Sequence, residues 1–239
     1  MDRTIPSNSA GEVLPGLWVG NFMSVFHLGY LAKKSTKIGS SSTDKVVVTV
    51  ISVLSNPNLI LLVTNALKEQ QRLQSDATNN SSDNQSRRIY YIDIINHKVF
   101  PLKDTVDSDL SSLLPDSLTA IDEALGKNIT PLSPSTNNCL LNDFNQDNDK
   151  CHNLQRICLV HCAKGVSRSV SVIVAYLLSR HSDRFHTFDE ALQHVRTVRP
   201  QAMPNVGFAM ELRNPSSGVS GSRRRDGCDK VEDMPEETT

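Results

Sequence analysis

The chain has 239 residues, 38% of them apolar and 21% charged, with a formal net charge of −1. That is enough apolar material for one globular domain with its own core plus polar excursions, and the near-neutral balance offers no global attraction to nucleic acid or to an anionic membrane surface. Five cysteines, Cys139, Cys151, Cys158, Cys162 and Cys228, form neither an even disulfide framework nor paired metal-ligand spacings, and no N-terminal apolar stretch reads as a signal peptide, so a reducing setting in cytoplasm or nucleus is expected.

In chain order, the apolar run from Val46 to Val63 is broken by Ser55-Asn56-Pro57-Asn58, which predicts two short strand- or helix-like pieces and argues against a membrane span. The Gln/Ser/Asn-rich stretch 68–88 lacks apolar content and is expected as a mobile surface loop. Tyr90-Tyr91-Ile92-Asp93-Ile94-Ile95 reads as a strand; Val99 to Thr105 then enters a loop that carries Asp104, Asp107 and Asp109 and closes on Leu110. Leu113, Leu114, Leu118 and Ile121 mark a helix. A second polar stretch, 126–155, is again expected as a loop, and its Cys151-His152 with nearby Cys158 supplies too few ligands for zinc. The N-x-[ST] matches at Asn79, Asn80, Asn84 and Asn128 read as by-products of these Asn/Ser-rich stretches.

The apolar strand Ile157-Cys158-Leu159-Val160 leads into His161-Cys162-Ala163-Lys164-Gly165-Val166-Ser167-Arg168-Ser169, and the apolar run Val170 to Leu178 follows as a helix. Thr187-Phe188-Asp189-Glu190 is a capping-box pattern, with Ala191, Leu192 and Val195 continuing at helical spacing. Met203 and Phe208 read as core residues. Asn214-Pro215-Ser216-Ser217-Gly218 cuts the last helix short, and the tail 216–239, Gly/Ser-rich, then basic at Arg223-Arg224-Arg225, then acidic, is expected to be disordered.

The chemistry concentrates at the Cys-x5-Arg loop between strand and helix. A loop of this length can turn the N–H groups of Ala163, Lys164, Gly165, Val166 and Ser167 inward around one anion, and the positive end of the following helix adds to the attraction. Cys162 would sit beneath the bound phosphorus and attack as a thiolate, a form that a helix N-terminus and a guanidinium stabilise. Arg168 grips two phosphoryl oxygens with a planar fork and stays charged at physiological pH. Gly165 permits dihedrals and close approach that a side chain would obstruct. Ser169 can hydrogen-bond the sulfur as it leaves a phosphocysteine, and His161 orients the loop. A disulfide between Cys162 and either Cys158 or Cys151 is a redox alternative. The nucleotide-binding pattern G-x-x-x-x-G-K-[ST] is not matched.

The His-Cys-x5-Arg-Ser signature with Ile173 to Leu178 behind it resembles the dual-specificity protein phosphatases. Leu14 to Gly20 is similar to that family's opening strand, and Phe188 to Leu192, Arg199-Pro200 and Pro204 to Phe208 are similar to its closing helices. The resemblance implies residues 1–215 as the phosphatase domain, interrupted by the two polar stretches. It also implies an α/β fold of protein tyrosine phosphatase type, a central mostly parallel sheet flanked by helices, which the alternation of strand-like and helix-like segments supports independently. The general acid would be Asp104, by its place after a strand and before a helix, with Asp107 in reserve. The implied reaction is hydrolysis of phosphotyrosine and phosphoserine/threonine in proteins through a phosphocysteine, without cofactor or metal and without nucleic-acid or membrane partners. Two alternatives stay open: Lys164 could meet a second phosphate, as on an inositol lipid or an RNA end, or the domain could capture phosphoproteins without turnover.

Overall fold

The computed structural model describes residues 9–35, 45–79, 92–127 and 154–214. The N-terminus, much of both polar stretches, with Cys139 and Cys151, and the tail with Cys228 lie outside the described residues. Five strands form one sheet: β1 (Ala10–Leu14), β2 (Leu17–Gly20), β3 (Lys45–Val53), β4 (Ile94–Phe100) and β5 (Leu154–His161). Their spatial order is β1-β2-β5-β3-β4. The β1–β2 hairpin is antiparallel, and every other pairing is parallel. Its turn passes through Gly16 at φ +79°, where a Cβ would lie 2.7 Å from the Arg156 carbonyl oxygen; only glycine fits.

Parallel strands need crossovers, and these are helical: α1 (Leu28–Ser35), α2 (Pro57–Asn79) and α3 (Leu114–Ala124) precede β3, β4 and β5 in turn. After β5 come α4 (Arg168–Arg180), α5 (Phe188–Val198) and α6 (Val206–Arg213). In β3 every residue from Val46 to Val53 is buried, and so is every residue of β5 from Ile157 onward. Adjacent strand residues point to opposite faces, so burial of both sets means that both faces are covered. Helix α4 gathers α3, α5 and α6 against β2, β3 and β5, while α1 packs on β3 and β5 and α2 on β4. Asp122 on α3 ties that helix to α4, accepting from Tyr176 Oη at 2.9 Å and Arg180 Nε at 2.7 Å.

Three elements differ from the sequence reading. Residues 68–79, expected in a loop, continue α2. The Asn56 side chain accepts the Asn58 N–H at 2.9 Å, and Pro57 opens the first turn, so the segment that breaks the apolar run also starts a helix. Lys68, Glu69, Gln70, Gln71 and Arg72 are all strong helix formers. Gln70 donates to the Val25 carbonyl, and Gln71 both accepts from Ile95 N and donates to the Asp93 carbonyl, so polar residues dock where apolar ones were lacking. The strand expected over Tyr90–Ile95 is shifted to Ile94–Phe100, in unbroken register with Val47–Val53. Asp93 seals its start by exchanging bonds with Val46 N and O. Finally, β5 starts at Leu154, inside the second polar stretch. Among the described residues no helix is long and apolar enough to cross a membrane.

Candidate active site

The run from His161 to Ser169 leaves the carboxyl end of the central strand β5 and enters the first turn of α4. Successive carbonyls of this loop are each taken from outside it. Ala163 O accepts from Phe22 N at 3.2 Å and Val166 O from Met203 N at 2.8 Å. The buried Arg199 donates to Lys164 O at 2.9 Å and to Gly165 O at 2.6 Å, and Ser167 O accepts from Ser171 N at 2.8 Å. In a trans peptide the carbonyl and the next N–H point in opposite directions. Pinning five carbonyls outward therefore aims the N–H groups of Lys164, Gly165, Val166, Ser167 and Arg168 inward.

At the floor of that ring sits Cys162, 1% exposed. Its Sγ accepts from Gly165 N at 3.2 Å and from Ser169 Oγ at 3.3 Å. Gly165 adopts φ +65°, and a Cβ there would lie 2.5 Å from Gly20 O and 2.6 Å from an Arg199 nitrogen. Arg168 donates to Leu102 O at 3.2 Å. Its buried Nε lies 3.5 Å from Asp104 Oδ2 without a hydrogen bond to any described acceptor, so the fork retains donor capacity for an oxyanion.

Asp104 is held at the same mouth. Its Oδ1 accepts from Ser167 Oγ at 2.6 Å and from Asn205 Nδ2 at 3.0 Å. Asn205 is the cap of α6, accepting from Phe208 N at 3.0 Å while its own N–H goes to Ser167 Oγ at 3.0 Å. Asp107 is exposed and has no hydrogen-bond partner among the described residues, and Asp109 caps Ser112 N at 3.0 Å. His161 is fully buried, with Nε2 2.7 Å from Ser52 Oγ and Nδ1 3.4 Å from Cys162 O. Burial pushes its pKa down to about 4, so the ring is neutral at pH 7.

Cys158 lies wholly buried in β5, four residues before Cys162. At about 3.3 Å per strand residue the two α-carbons are about 13 Å apart, beyond the reach of a disulfide, which needs less than about 7 Å. Burial also pushes the Cys158 thiol far up. The Cys158–Cys162 redox pairing is thus excluded by geometry. Met203, expected in the core, is 65% exposed, because its backbone rather than its side chain faces the loop through the bond to Val166; Phe208 is buried as expected.

The structure places Cys162, Asp104, Arg168, Ser169 and His161 around one loop, with Ala163 to Ser167 between Cys162 and Arg168. Arg199, which sets the loop's shape, and Asn205 and Ser167 Oγ, which hold Asp104, are further residues of the site that the motif does not mark. Pro204-Asn205 before an apolar helix was a readable cap signal. Nothing local marks Arg199 as facing a loop 34 residues away.

Residues 135–216 match the family model described as the dual specificity phosphatase catalytic domain. This match to the dual-specificity phosphatases covers about a third of the chain. Dual specificity protein phosphatase 1 of Arabidopsis thaliana is 50% identical over 56 residues, 23% of this chain and 27% of that protein. Dual specificity protein phosphatase 1B of the same plant is 42% identical over 64 residues, 27% of this chain and 36% of that one. The matched segments thus span well under two thirds of these relatives. The architecture resembles the solved PTP-2 phosphatase of Cydia pomonella, with a TM-score of 0.50 at 14% identity over 87% of this chain and 89% of that one. The matched segment includes Cys162, Arg168 and Arg199, and Asp104 lies before it.

Proposed function

We propose that the protein hydrolyses phosphate monoesters on proteins, at tyrosine and at serine or threonine, through a phosphocysteine. Supporting this most directly is the outward pinning of the five loop carbonyls from Ala163 to Ser167, which leaves a ring of amides over a sulfur. Such donors, fixed before substrate arrives, stabilise the charge that spreads over the equatorial oxygens in the transition state.

Cys162 Sγ attacks phosphorus in line, the P–O bond to the substrate breaks, and Asp104 delivers its proton to the departing oxygen. The Ser167 and Asn205 hydrogen bonds to Oδ1 leave Oδ2 to face the loop mouth. Water then attacks the phosphocysteine, Asp104 takes its proton, and sulfur departs as thiolate accepting the Ser169 hydroxyl proton in a hydrogen bond. Arg168 and the loop amides bind the phosphoryl oxygens throughout. The substrate-binding set is Lys164, Gly165, Val166, Ser167 and Arg168 through their inward amides, with Ala163 at the start of the loop and an exposed positive Lys164 side chain at the rim. A reducing compartment suits a reaction that depends on a free thiolate.

The test uses the full chain with phosphotyrosine and phosphothreonine peptides, an aryl phosphate, a phosphoinositide and a 5′-phosphorylated RNA. Vanadate-sensitive release of phosphate from the peptides, abolished in Cys162→Ser, is the expected result. Faster turnover of lipid or RNA would move the substrate class, and phosphopeptide binding without any release would leave only a capture role.

A further inference from the structure

Three polar side chains lie in a row beneath the nucleophile on one face of three adjacent strands. His97 on β4 is the register partner of Val50, two residues before Ser52 on β3, and Ser52 is itself the partner of His161 on β5. Residues two apart share a sheet face, so the three side chains meet. Ser52 Oγ lies 2.7 Å from His161 Nε2 and 2.9 Å from His97 Nε2. His97 Nδ1 is 3.4 Å from Thr64 Oγ1 of α2, whose hydroxyl also reaches Ile60 O at 2.8 Å.

Counting protons decides who donates. Cys162 O can only accept, so an attractive contact with His161 requires the proton on His161 Nδ1. The neutral ring then has a bare Nε2, which needs a donor, and among the described residues the candidate within reach is the Ser52 hydroxyl. That hydroxyl has one proton. His97 Nε2 must therefore be a donor to Ser52 Oγ, and its bare Nδ1 then takes the Thr64 hydroxyl proton, turned from the Ile60 carbonyl toward the ring. The opposite arrangement has His97 protonated at Nδ1, Ser52 turned toward it, and His161 protonated at Nε2. It sets the His161 Nδ1 lone pair against the Cys162 carbonyl.

We propose that His97 is a positioning residue of the nucleophile loop: by donating from Nε2 to Ser52 it commits the Ser52 proton to His161, and through His161 it fixes the Cys162–Ala163 peptide. The next peptide, Ala163–Lys164, is already anchored, because Ala163 O accepts from Phe22 N. The His161 contact holds the peptide before it, so two successive carbonyls are fixed where the chain enters the ring. Burial lowers the His97 pKa as well, and Lys68 of α2 lines the same cleft with Thr64, Leu67, Gln71 and Ile95, with no carboxylate among the described residues. The tautomer of a neutral ring, and not its charge, is therefore what acts.

This inference rests on Cys162 being the nucleophile, but its test reads the ring and the thiol directly and needs no turnover. The full chain is compared with His97→Gln, whose amide nitrogen keeps a donor near the Nε2 position, and with His97→Phe, which removes it. The imidazole ¹⁵N spectrum should show His161 protonated at Nδ1 in the parent and in His97→Gln, and shifted toward Nε2 in His97→Phe. Alkylation of Cys162 by iodoacetamide, resolved peptide by peptide across pH 5–9 by mass spectrometry, should slow by about fivefold in His97→Phe, the worth of one ordinary hydrogen bond, and match the parent in His97→Gln. A parent His161 protonated at Nε2, a His97→Phe profile superimposing on the parent, or His97→Gln behaving like His97→Phe would each overturn the proposal. The parent tautomer decides even where the Phe variant does not fold. Absence of phosphate release with the expected tautomer and alkylation pattern would remove the proposed activity and leave this inference standing.

Discussion

Replacing Arg199 by alanine tests whether the shape of the loop is imposed from outside. The guanidinium donates to Gly165 O at 2.6 Å, Lys164 O at 2.9 Å and Ser9 O at 3.1 Å. Each charge-assisted bond is worth about 1.5–3 kcal/mol. Removing the buried cation also removes its desolvation cost, so the expected net loss of stability is about 2–4 kcal/mol. The catalytic effect has a separate origin. Freed carbonyls at Lys164 and Gly165 unlock the N–H groups of Gly165 and Val166, and loss of one preorganised oxyanion donor costs about 10²–10³ in kcat. With two donors loosened, kcat for an aryl phosphate should fall at least about 10²-fold, and vanadate inhibition should weaken in parallel because the same amides bind both. Measurement at a temperature where the variant remains folded, checked by its melting curve, separates the two effects. A folded Arg199→Ala protein with parental kcat and parental vanadate affinity would refute the account of how the amides are aimed.

Asp104→Asn keeps the bonds from Ser167 and Asn205 to Oδ1 but carries no acid proton, so kcat should drop by about 10²–10⁴ for alkyl phosphoesters and far less for aryl esters with acidic leaving groups. Equal losses across a leaving-group series would remove Asp104 from the acid role. Acid stability should report His161: its folded pKa of about 4 lies below the ordinary 6.5, so the unfolded chain binds the extra proton. Stability from this group is then full above pH 6.5 and is lost as pH falls toward 4, by about 3 kcal/mol at about 1.4 kcal/mol per pH unit. Urea midpoints from pH 7 to 4 measure it; a flat profile, or one unchanged in His161→Asn, would contradict the burial argument.

What the sequence made legible follows from what is local. The loop from His161 to Ser169 is contiguous, flanked by a strand signal and a helix signal, and its chemistry is written in nine neighbouring letters. Asp104 was readable by position because its loop follows a strand. Helix α5 announced itself by the Thr187–Glu190 box, and both reciprocal bonds are present. Illegible were the parts where polar composition hides an ordered role. Residues 68–74 looked like loop because their polarity outweighed their helix propensity in the reading, yet Gln70 and Gln71 satisfy backbone groups of other elements. The bounds of β4 depended on pairing with Val47–Val53, which no single strand records in its own residues.

The outer partners that shape the anion site come from three separate stretches of the chain. Phe22 belongs to the turn after β2, Ser171 to α4, Arg199 to the end of α5 and Met203 to the link between α5 and α6. Each fixes a different peptide of the same ring, so the amides converge only when the hairpin, the central strand and the last two helices are packed together. An isolated peptide spanning His161 to Ser169 would carry the nucleophile and the arginine but not the ring, since nothing in it holds the carbonyls outward against water. The family match over 135–216 includes three of these four partners and omits Phe22 and Asp104. Segments far from the signature therefore complete the site: β2 with its turn anchors the first peptide of the loop, and the chain after β4 delivers the carboxylate. Arg168 and Arg199 differ in role for the same reason. The scaffold's carbonyls claim donors of Arg199, whereas Arg168, placed where the helix begins and bonded to one backbone oxygen, keeps a buried Nε without an acceptor among the described residues, as the proposed phosphoryl-binding role requires.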